Sequence, residues 1–561
     1  MIDKFSAGYL RHETCASRDA SVLRFVATDQ LDLSGTPSHP KGGHVPHVIN
    51  QSCCNDAACV SACPVDCIHP SPGEVGYGTT EMLFIDPSTC VDCGACVDVC
   101  PVDAITRDSE LSPQELPFLE LNRLHYASRS YPRRDLPLPV PRLTVEQREP
   151  LRVAVVGAGP AALFSVESIL SRRGLDATVS VYERLPVPFG LVRSGVAPDH
   201  VRTKQVVKQF ERTASRRGVT FHFNTEVGRD ITHEQLVESH HAVLYAVGAP
   251  SDRALGIPGE ELTGSHAATQ FVGWYNGHPD HAHREFDLSH PRAVVVGNGN
   301  VALDVARVLV SDIDRLRRTD MSSHALEVLA ESRVEEVVVI GRRGVAQAAY
   351  TTKELIELGH LPGVDVLADP REVRIDPISQ SQLERAGSEA LRFKTEIAER
   401  YARNSRTPGR RSIVLRYLTS PTAIDGDEGV KSIRVAHNRL VETTEGTLTA
   451  VPTGTTETLD CGLVLRSVGY RGEPVSGVEF DRPSGRIPNV SGRVVDSASG
   501  EQVVGVYTAG WIKRGPSGVI GTNKTCAKET VDAIVDDYFA GKLKPPVRDE
   551  PTAPESSFGW E

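Results

Sequence analysis

Nine of the chain's twelve cysteines fall between Cys53 and Cys100, and four of them form the run Cys90-x2-Cys93-x2-Cys96-x3-Cys100-Pro101. With that spacing, three thiolates hold one cubic iron–sulfur cluster while the fourth reaches across to a second. A zinc ribbon needs only two CxxC pairs and a redox CxxC only one, so the run points to an iron–sulfur centre over zinc or disulfide chemistry. A companion run lies upstream, Cys53-x2-Asp56-x2-Cys59-x3-Cys63-Pro64, with Asp56 in the second ligand position. These residues announce one-electron chemistry, and the rest of the chain must contain what feeds it.

Two further segments have the chemistry to bind dinucleotides. In the first, VAVV leads into Gly157-Ala-Gly159-Pro-Ala-Ala162. Gly157 makes a tight turn, Gly159 lets backbone approach a pyrophosphate, and Ala162 permits close helix–strand packing. The helix N-terminus then offers unpaired N–H groups to the phosphates. The next strand, TVSVYE, ends in Glu183, placed to bond ribose hydroxyls. The second segment, AVVV followed by Gly297-Asn298-Gly299-Asn300-Val301-Ala302, repeats the logic. There the next recognisable strand, EEVVVIG, is closed not by an acid but by Arg342 and Arg343. Two guanidiniums at that position suit a 2′-phosphate and select NADP(H); the alternative is a pair of ordinary surface charges. The gap between Gly299 and Arg342 exceeds the usual ~20 residues, so a helical insertion around 311–332 is predicted.

The elements that must position these residues follow from texture. Across 561 residues, hydrophobic content is 40% and charged content 24%, as in ordinary multidomain globular proteins. Residues 1–44, including Cys15, end in SGTPSHPKGG and are expected to form a disordered extension. Residues 45–110 are the cluster domain. From 111 to 150 the chain carries Pro113, Pro117, Pro132, Pro137, Pro139, Pro141 and Pro150, read as an extended, semi-rigid linker. After 151, β-branched runs alternate with helical segments, the pattern of an α/β protein. Residues 45–106 hold eight acids (Asp56, Asp66, Glu74, Glu81, Asp86, Asp92, Asp98, Asp103) and no Lys or Arg, whereas RTKQVVKQFERTASRR at 202–217 has six bases. The two blocks are either solvated faces or an electrostatic docking pair. No apolar stretch approaches ~18 residues and no export signal is read, so a cytoplasmic protein without membrane spans is expected. The net charge of −12 argues against a nucleic-acid partner.

At this point the residues carry a resemblance. LPVPFGLVRSGVAPDH (185–200), GNGNVALDVARVL (297–309) and GWIKRGPSGVIGTNK (510–524) resemble the adrenodoxin-reductase type of ferredoxin–NADP reductase, and residues from 45 onward resemble the subgroup with a fused bacterial-type, two-cluster ferredoxin. Val45-Pro46-His47 resembles the usual start of such chains. The resemblance implies an α+β ferredoxin-like domain followed by a glutathione-reductase-like α/β flavoprotein. Its FAD domain would span 151–252 plus 471–561, and its NADP domain 253–470. It assigns FAD contacts to Ala162, Glu183, Leu191, Val227, Trp511, Gly518, Val519 and Ile520, beside the turn glycines Gly157 and Gly159. It assigns NADP contacts to Arg253, Asn298, Gly299, Asn300, Val301, Arg342, Arg343, Glu354 and Gly518. His200 and Glu357 match residues the family is thought to use in proton handling; the alternatives are a surface helix-start histidine and a solvated helix acid. A helix starting near Asn523 and ending before Gly541 would aim its positive end at the flavin.

For the clusters, the expected first site is Cys90, Cys93, Cys96 and Cys63, as [4Fe–4S]. The second is Cys53, Cys59 and Cys100, with Asp56 or Cys54 at the open position, giving [3Fe–4S] or [4Fe–4S]. Cys67, Cys461 and Cys526 read as spare buried thiols. A nicotinamide delivers two electrons and a cluster accepts one, so a flavin between them completes the chemistry. The expected flow is NADPH to FAD to the fused clusters to a ferredoxin or other one-electron acceptor, reversible in principle. The rivals are an electron-input subunit like the glutamate-synthase small subunit and a cluster-based redox sensor. A disulfide reductase is disfavoured, because no CxxxxC follows the first nucleotide motif.

Overall fold

The computed structural model describes residues 46–127, 129–132, 149–386, 389–443 and 447–551. Expectations for residues 1–45, including Cys15 and Val45, lie outside them.

The cluster domain is small. Strand β1 (His47–Ile49) pairs antiparallel with β4 (Ile105–Arg107), and β2 (Ile68–His69) with β3 (Phe84–Ile85). Two short helices, α1 (Ala58–Ala62) and α2 (Ala95–Asp98), follow the two cysteine loops. The loops share a backbone: Asn55 and Ala57 in the first, Asp92 and Gly94 in the second, all have positive φ, as do Asp66 and Asp103 after the last cysteine of each run. The left-handed region costs a non-glycine residue roughly 1–2 kcal/mol. Its recurrence at matching positions shows that the two runs fold alike although Asp56 replaces a cysteine.

The segment read as a linker is not extended throughout. Residues Leu116–Ala127 form helix α3, which seals the cluster domain. Asn122 is buried in it and acts as a clip. Its amide donates to the carbonyls of Ile49 (2.8 Å) and Phe118 (2.7 Å), and its oxygen accepts from Ile85 N–H (2.9 Å). Tyr126 donates its hydroxyl to Phe84 carbonyl at 2.8 Å. Proline density hid this helix, yet Pro117 sits in the first turn, where a missing N–H removes no helical bond. The cluster domain therefore runs past 110 to at least 127. Residues 133–148 lie outside the described residues.

The first nucleotide domain is built on a seven-stranded sheet in the order β20–β21–β22–β8–β5–β6–β7. Here β5 is Leu151–Val156, β6 Ala177–Tyr182, β7 Val219–His222, β8 Ala242–Tyr245, β20 Asn489–Val490, β21 Arg493–Val495 and β22 Gln502–Thr508. The five strands from β22 to β7 are parallel, so both faces are covered and β5 is buried at nearly every position. Helix α4 (Pro160–Leu170), with Pro160 in its first turn, packs on the long C-terminal helix α7 (Thr522–Phe539).

The second domain has a six-stranded parallel sheet, β10–β18–β11–β12–β14–β13. Its strands are β10 (Ser265–Ala267), β11 (Arg292–Val296), β12 (Glu336–Ile340), β13 (Val364–Ala368), β14 (Arg411–Arg416) and β18 (Leu463–Arg466). Helix α5 (Asn300–Val310) follows β11, and helices Ile313–Leu316 and Ser323–Ala330 fill the long gap before β12, as the spacing required. Helix α6 (Thr352–Leu358) comes next. An antiparallel sheet, β15 (Thr419–Gly426), β16 (Val430–Glu442) and β17 (Leu448–Asp460), flanks this domain. The chain crosses between domains at the paired β9 (Ser251–Asp252) and β19 (Tyr470–Arg471).

Candidate functional site

The thiols gather into two cavities. One is lined by Cys63, Cys67, Cys90, Cys93 and Cys96. The other is lined by Cys53, Cys54, Cys59 and Cys100 with Asp56. Each run thus sends its proline-flanked cysteine to the other run's cavity. Burial pushes the Cys53, Cys54 and Cys59 thiols up, Cys96 up to about 12 and Cys100 up to about 11. Cys67, read as a spare thiol, lines the first cavity with its sulfur 3.4 Å from that of Cys63. It remains a thiol whose hydrogen bonds bring Cys63 down to about 6 and Cys90 to about 5. Soft sulfur donors around cavities with almost no other polar atom suit iron–sulfur clusters, whose positive iron offsets the cost of burying thiolates. Two donors face the open position of the second cavity: the Cys54 thiol and the Asp56 carboxylate, the latter 3.4 Å from Lys524 Nζ.

The first nucleotide turn lies between β5 and α4. Gly157 has φ 99°, and a Cβ there would fall 2.7 Å from the Ala246 carbonyl oxygen. Glu183, at the end of β6, is buried, and its carboxylate accepts N–H bonds from Ala158 and Leu185, both 2.9 Å. Burial raises its carboxyl, and its two bonds brace the turn. The other residues assigned here converge on the same turn. A Cβ on Gly190, beside Leu191, would sit 3.0 Å from Gly159 Cα, and one on Gly510, beside Trp511, would sit 2.6 Å from Ala161 Cβ. Thr225 N–H bonds the Glu183 carbonyl (2.9 Å), which brings Val227 near. Gly518, Val519 and Ile520 lead into the N-terminus of α7. Ala162 is wholly buried between helix and sheet.

At the second turn, Gly297 has φ 126°, and the Ser467 carbonyl oxygen leaves no room for a Cβ. Asn298 carbonyl accepts from Tyr350 N–H (2.8 Å), and the Asn300 side chain accepts from Thr351 N–H (2.7 Å). These bonds fix the start of α6 against the turn at Gly299–Val301. Arg342 and Arg343 follow β12, and neither guanidinium has a partner among the described residues, which leaves both free for an anion. Arg253 is exposed beside Gly469, to whose carbonyl its N–H is bonded.

Between the two turns lies a buried knot of charge. Arg307, on the largely apolar α5, is 0% exposed. It binds Asp199 through two bonds (2.7 and 2.9 Å) and Asp304 at 2.9 Å, with Glu354 and Glu357 at 3.7 Å. His200 Nε2 lies 2.9 Å from Arg307 Nη2 and 3.1 Å from Glu357 Oε2. One nitrogen thus faces an obligate donor and an acceptor, and its proton decides which bond forms. Burial and Arg307 oppose protonation, but Glu354, Asp304 and Glu357 outweigh them and raise His200 to about 9. Protonated His200 therefore donates to Glu357. Against the cost of burial, Arg307 and His200 hold Glu357 down at about 2, while burial and the neighbouring carboxylates lift Glu354 to about 7. The sequence placed His200, Glu354 and Glu357 at the site but missed Arg307, Asp199 and Asp304. The available signal was a charged pair three residues apart inside GNGNVALDVARVL.

The cluster domain meets the flavoprotein through the N-termini of α6 and α7. Thr352 N–H donates to the Glu81 carboxylate (2.7 Å), and Lys353 Nζ donates to the carbonyls of Gln51 (2.9 Å) and Cys53 (3.3 Å). Gly521 N–H donates to Cys54 carbonyl at 2.7 Å, and the Thr522 hydroxyl reaches Gly78 carbonyl at 3.3 Å. Of the basic segment 202–217, read as a solvated face or half of a docking pair, Arg202 meets the cluster domain, through Glu115 at 3.0 Å. Lys204 pairs with Asp320 and Arg216 bonds Ser171, so the run serves mainly as a solvated face of its own domain.

Two nucleotide turns, each on a sheet with a parallel core, and a thiol-lined domain docked on α6 and α7 define a two-domain dinucleotide oxidoreductase with a fused iron–sulfur module. Residues 151–517 match the pyridine nucleotide-disulphide oxidoreductase family, and residues 83–106 match the 4Fe-4S binding domain. The chain is 47% identical over 514 residues to the "Probable ferredoxin/ferredoxin–NADP reductase" of Mycobacterium leprae, covering 90% of this chain and 88% of that one. It is 40% identical over 412 residues to the mitochondrial "NADPH:adrenodoxin oxidoreductase" of Salvelinus fontinalis, covering 70% and 79%. The solved structure "Mycobacterium tuberculosis FprA in complex with NADPH" aligns with TM-score 0.66 at 47% identity, over 71% of this chain and 87% of that one. The chain belongs to the ferredoxin–NADP reductase family of the adrenodoxin-reductase type, with a fused ferredoxin domain.

Proposed function

We propose that this protein is a ferredoxin–NADP reductase that passes electrons from NADPH through FAD to its own clusters, and from there to a one-electron acceptor protein such as a ferredoxin. The observation that carries this reading is the junction at α6. Lys353 bonds the carbonyl of Cys53 at the second thiol cavity, while Glu354 beside it joins the His200 knot at the nucleotide turn. Bound FAD supplies the exchange between a two-electron hydride donor and one-electron centres.

The chain's own residues do the rest. Gly157 and Gly159 admit the FAD pyrophosphate, Glu183 holds its ribose, and the N-terminus of α7 offers N–H groups and a positive dipole end to the flavin. Leu191, Val227, Trp511 and Gly518–Ile520 shape the flavin cleft. Gly299–Val301 admit the NADP pyrophosphate, and Arg342 and Arg343 grip the 2′-phosphate. Glu354, lifted toward neutral pH, offers a hydrogen bond to the nicotinamide amide. His200 and Glu357 hold a proton on Nε2 beside the cleft, and Arg307 fixes both groups.

Two clusters complete the path: a [4Fe–4S] cluster on Cys63, Cys90, Cys93 and Cys96, and a second on Cys53, Cys59 and Cys100. A fourth iron held by Asp56 or Cys54 makes the second [4Fe–4S]; with neither bound it is [3Fe–4S]. Clustered thiols that must stay reduced suit the cytoplasm, and no described helix is long and apolar enough to cross a membrane. The test is NADPH-dependent reduction of ferricyanide by purified protein. Turnover with bound FAD is expected; bound FAD without NADPH turnover would overturn the reading.

A further inference from the structure

The two thiol cavities are placed unequally. The one at Cys53, Cys59 and Cys100 faces the flavoprotein: Lys353 bonds the Cys53 carbonyl, Gly521 bonds the Cys54 carbonyl, and Lys524 meets Asp56. Its Cys53, Cys54 and Cys59 are all buried. The cavity at Cys63, Cys90, Cys93 and Cys96 opens outward, with Cys93 exposed and Cys63 and Cys90 half-buried. One helical turn joins the cavities twice, from Cys59 to Cys63 and from Cys96 to Cys100. Val91 lines the outer cavity, and Val97 and Val99 follow its Cys96 in the chain; they are 45%, 36% and 41% exposed, three of the nine large exposed apolar side chains among the described residues. Asp98, at the end of α2, and Asp103, just beyond Cys100, are exposed on the same stretch of chain, and no Lys or Arg occurs between 45 and 106. The first base, Arg107, is turned to Asp92 at 3.7 Å.

We infer that the Val91–Val97–Val99 face is the electron exit, and that it docks a one-electron carrier protein whose contact face is basic around an apolar centre. The inference rests on the reductase reading above. The fused domain covers the N-termini of α6 and α7, the face that opens on both nucleotide turns, so a second carrier cannot reach the flavin from there. Electrons then run from the flavoprotein to the inner cavity, to the outer cavity, and out past Cys93. The balance is one NADPH and two oxidised carriers giving NADP+, one proton and two singly reduced carriers. An acidic exit repels an acidic carrier and steers a basic one, and it does so chiefly through association.

The test uses the holoenzyme with cytochrome c, a basic one-electron protein, as the probe. In the unaltered protein, kcat/KM for cytochrome c is expected to fall about tenfold or more from low to high salt, as steering is screened. The double variant Asp98→Lys with Asp103→Lys is expected to lose about tenfold in kcat/KM at low salt, to lose the salt dependence, and to bind oxidised cytochrome c about tenfold more weakly by titration calorimetry. Flavin bleaching by NADPH should be unchanged in that variant. A variant with unaltered kcat/KM and binding overturns the inference. So does an equal loss from Lys208→Glu with Arg212→Glu, which would put docking on the basic run instead. If the charge-reversed variant does not assemble, a salt-independent kcat/KM in the unaltered protein overturns it just as directly. Failure of NADPH to bleach the flavin would defeat the reductase reading and is read separately.

Discussion

Gly521→Ala should uncouple the clusters from the flavin by parting the first cysteine loop from the start of α7. Gly521 has φ −68°, a conformation alanine adopts freely, so the backbone itself imposes no cost. Space is the constraint: a Cβ at this position would lie 2.1 Å from the Asn55 carbonyl carbon and oxygen and 2.4 Å from Asp56 N. Carbon atoms in contact settle at about 3.5–4.0 Å, so the loop and the start of α7 must part by more than about 1 Å. That movement also stretches the 2.7 Å bond from Gly521 N–H to the Cys54 carbonyl. Overpacking of this kind costs about 1–3 kcal/mol, which lowers the docked fraction relative to the undocked by about 5- to 150-fold. Anaerobic stopped-flow mixing with NADPH reads the two steps separately. Flavin bleaching should keep its rate, and cluster bleaching should slow by at least about fivefold. Cluster reduction at the unaltered rate, in a variant with normal flavin content, would refute the docking derived from α6 and α7.

Replacing Arg342 and Arg343 with Ala removes two charge-assisted contacts worth about 1.5–3 kcal/mol each, so KM for NADPH should rise at least about tenfold while KM for NADH stays put. A retained preference for NADPH would put the 2′-phosphate elsewhere. Arg307→Met strands the carboxylates of Asp199, Asp304, Glu354 and Glu357. Breaking a buried pair costs about 3–5 kcal/mol, so the thermal midpoint should fall clearly; an unchanged midpoint contradicts the charge knot. His200 is raised from its ordinary 6.5 to about 9, so its charged form adds stability that is whole below about 6.5 and is lost as pH rises through 9. Thermal midpoints of the unaltered protein and His200→Gln should therefore differ at pH 6 and converge above pH 9. Parallel pH profiles would show that Nε2 does not carry the proton.

The two nucleotide turns were legible because sterics leave few choices. Gly157 and Gly297 need positive φ and closely approach a carbonyl, so a short spacing of glycines records them. Glu183 was legible as the acid ending the next strand, though its bracing of Ala158 and Leu185 was not. The sorting of thiols between two cavities followed from the family resemblance, not from spacing alone. Helix α3 was hidden because composition does not separate a proline in a first turn from a proline in a linker. Arg307 was hidden because its partners come from three separate segments, and its one local partner, Asp304, reads as an ordinary i,i+3 pair. The docking was least legible of all. Lys353 and Lys524 reach partners 300 and 468 residues away, and much of the contact is to backbone carbonyls that carry no side-chain pattern. Of the charge runs that seemed to advertise it, Glu81, Asp56 and Arg202 take part in this contact.

The central claim is that NADPH reduces the clusters through the flavin within one chain. Anaerobic titration of the purified holoprotein with NADPH, followed by optical and EPR spectra together, measures this directly. Flavin and cluster absorbance should both bleach within about two equivalents of NADPH, one electron appearing at each cluster and two at the flavin, with reduced-cluster EPR signals growing in step. A flavin fully bleached by excess NADPH while the clusters stay oxidised would contradict the account.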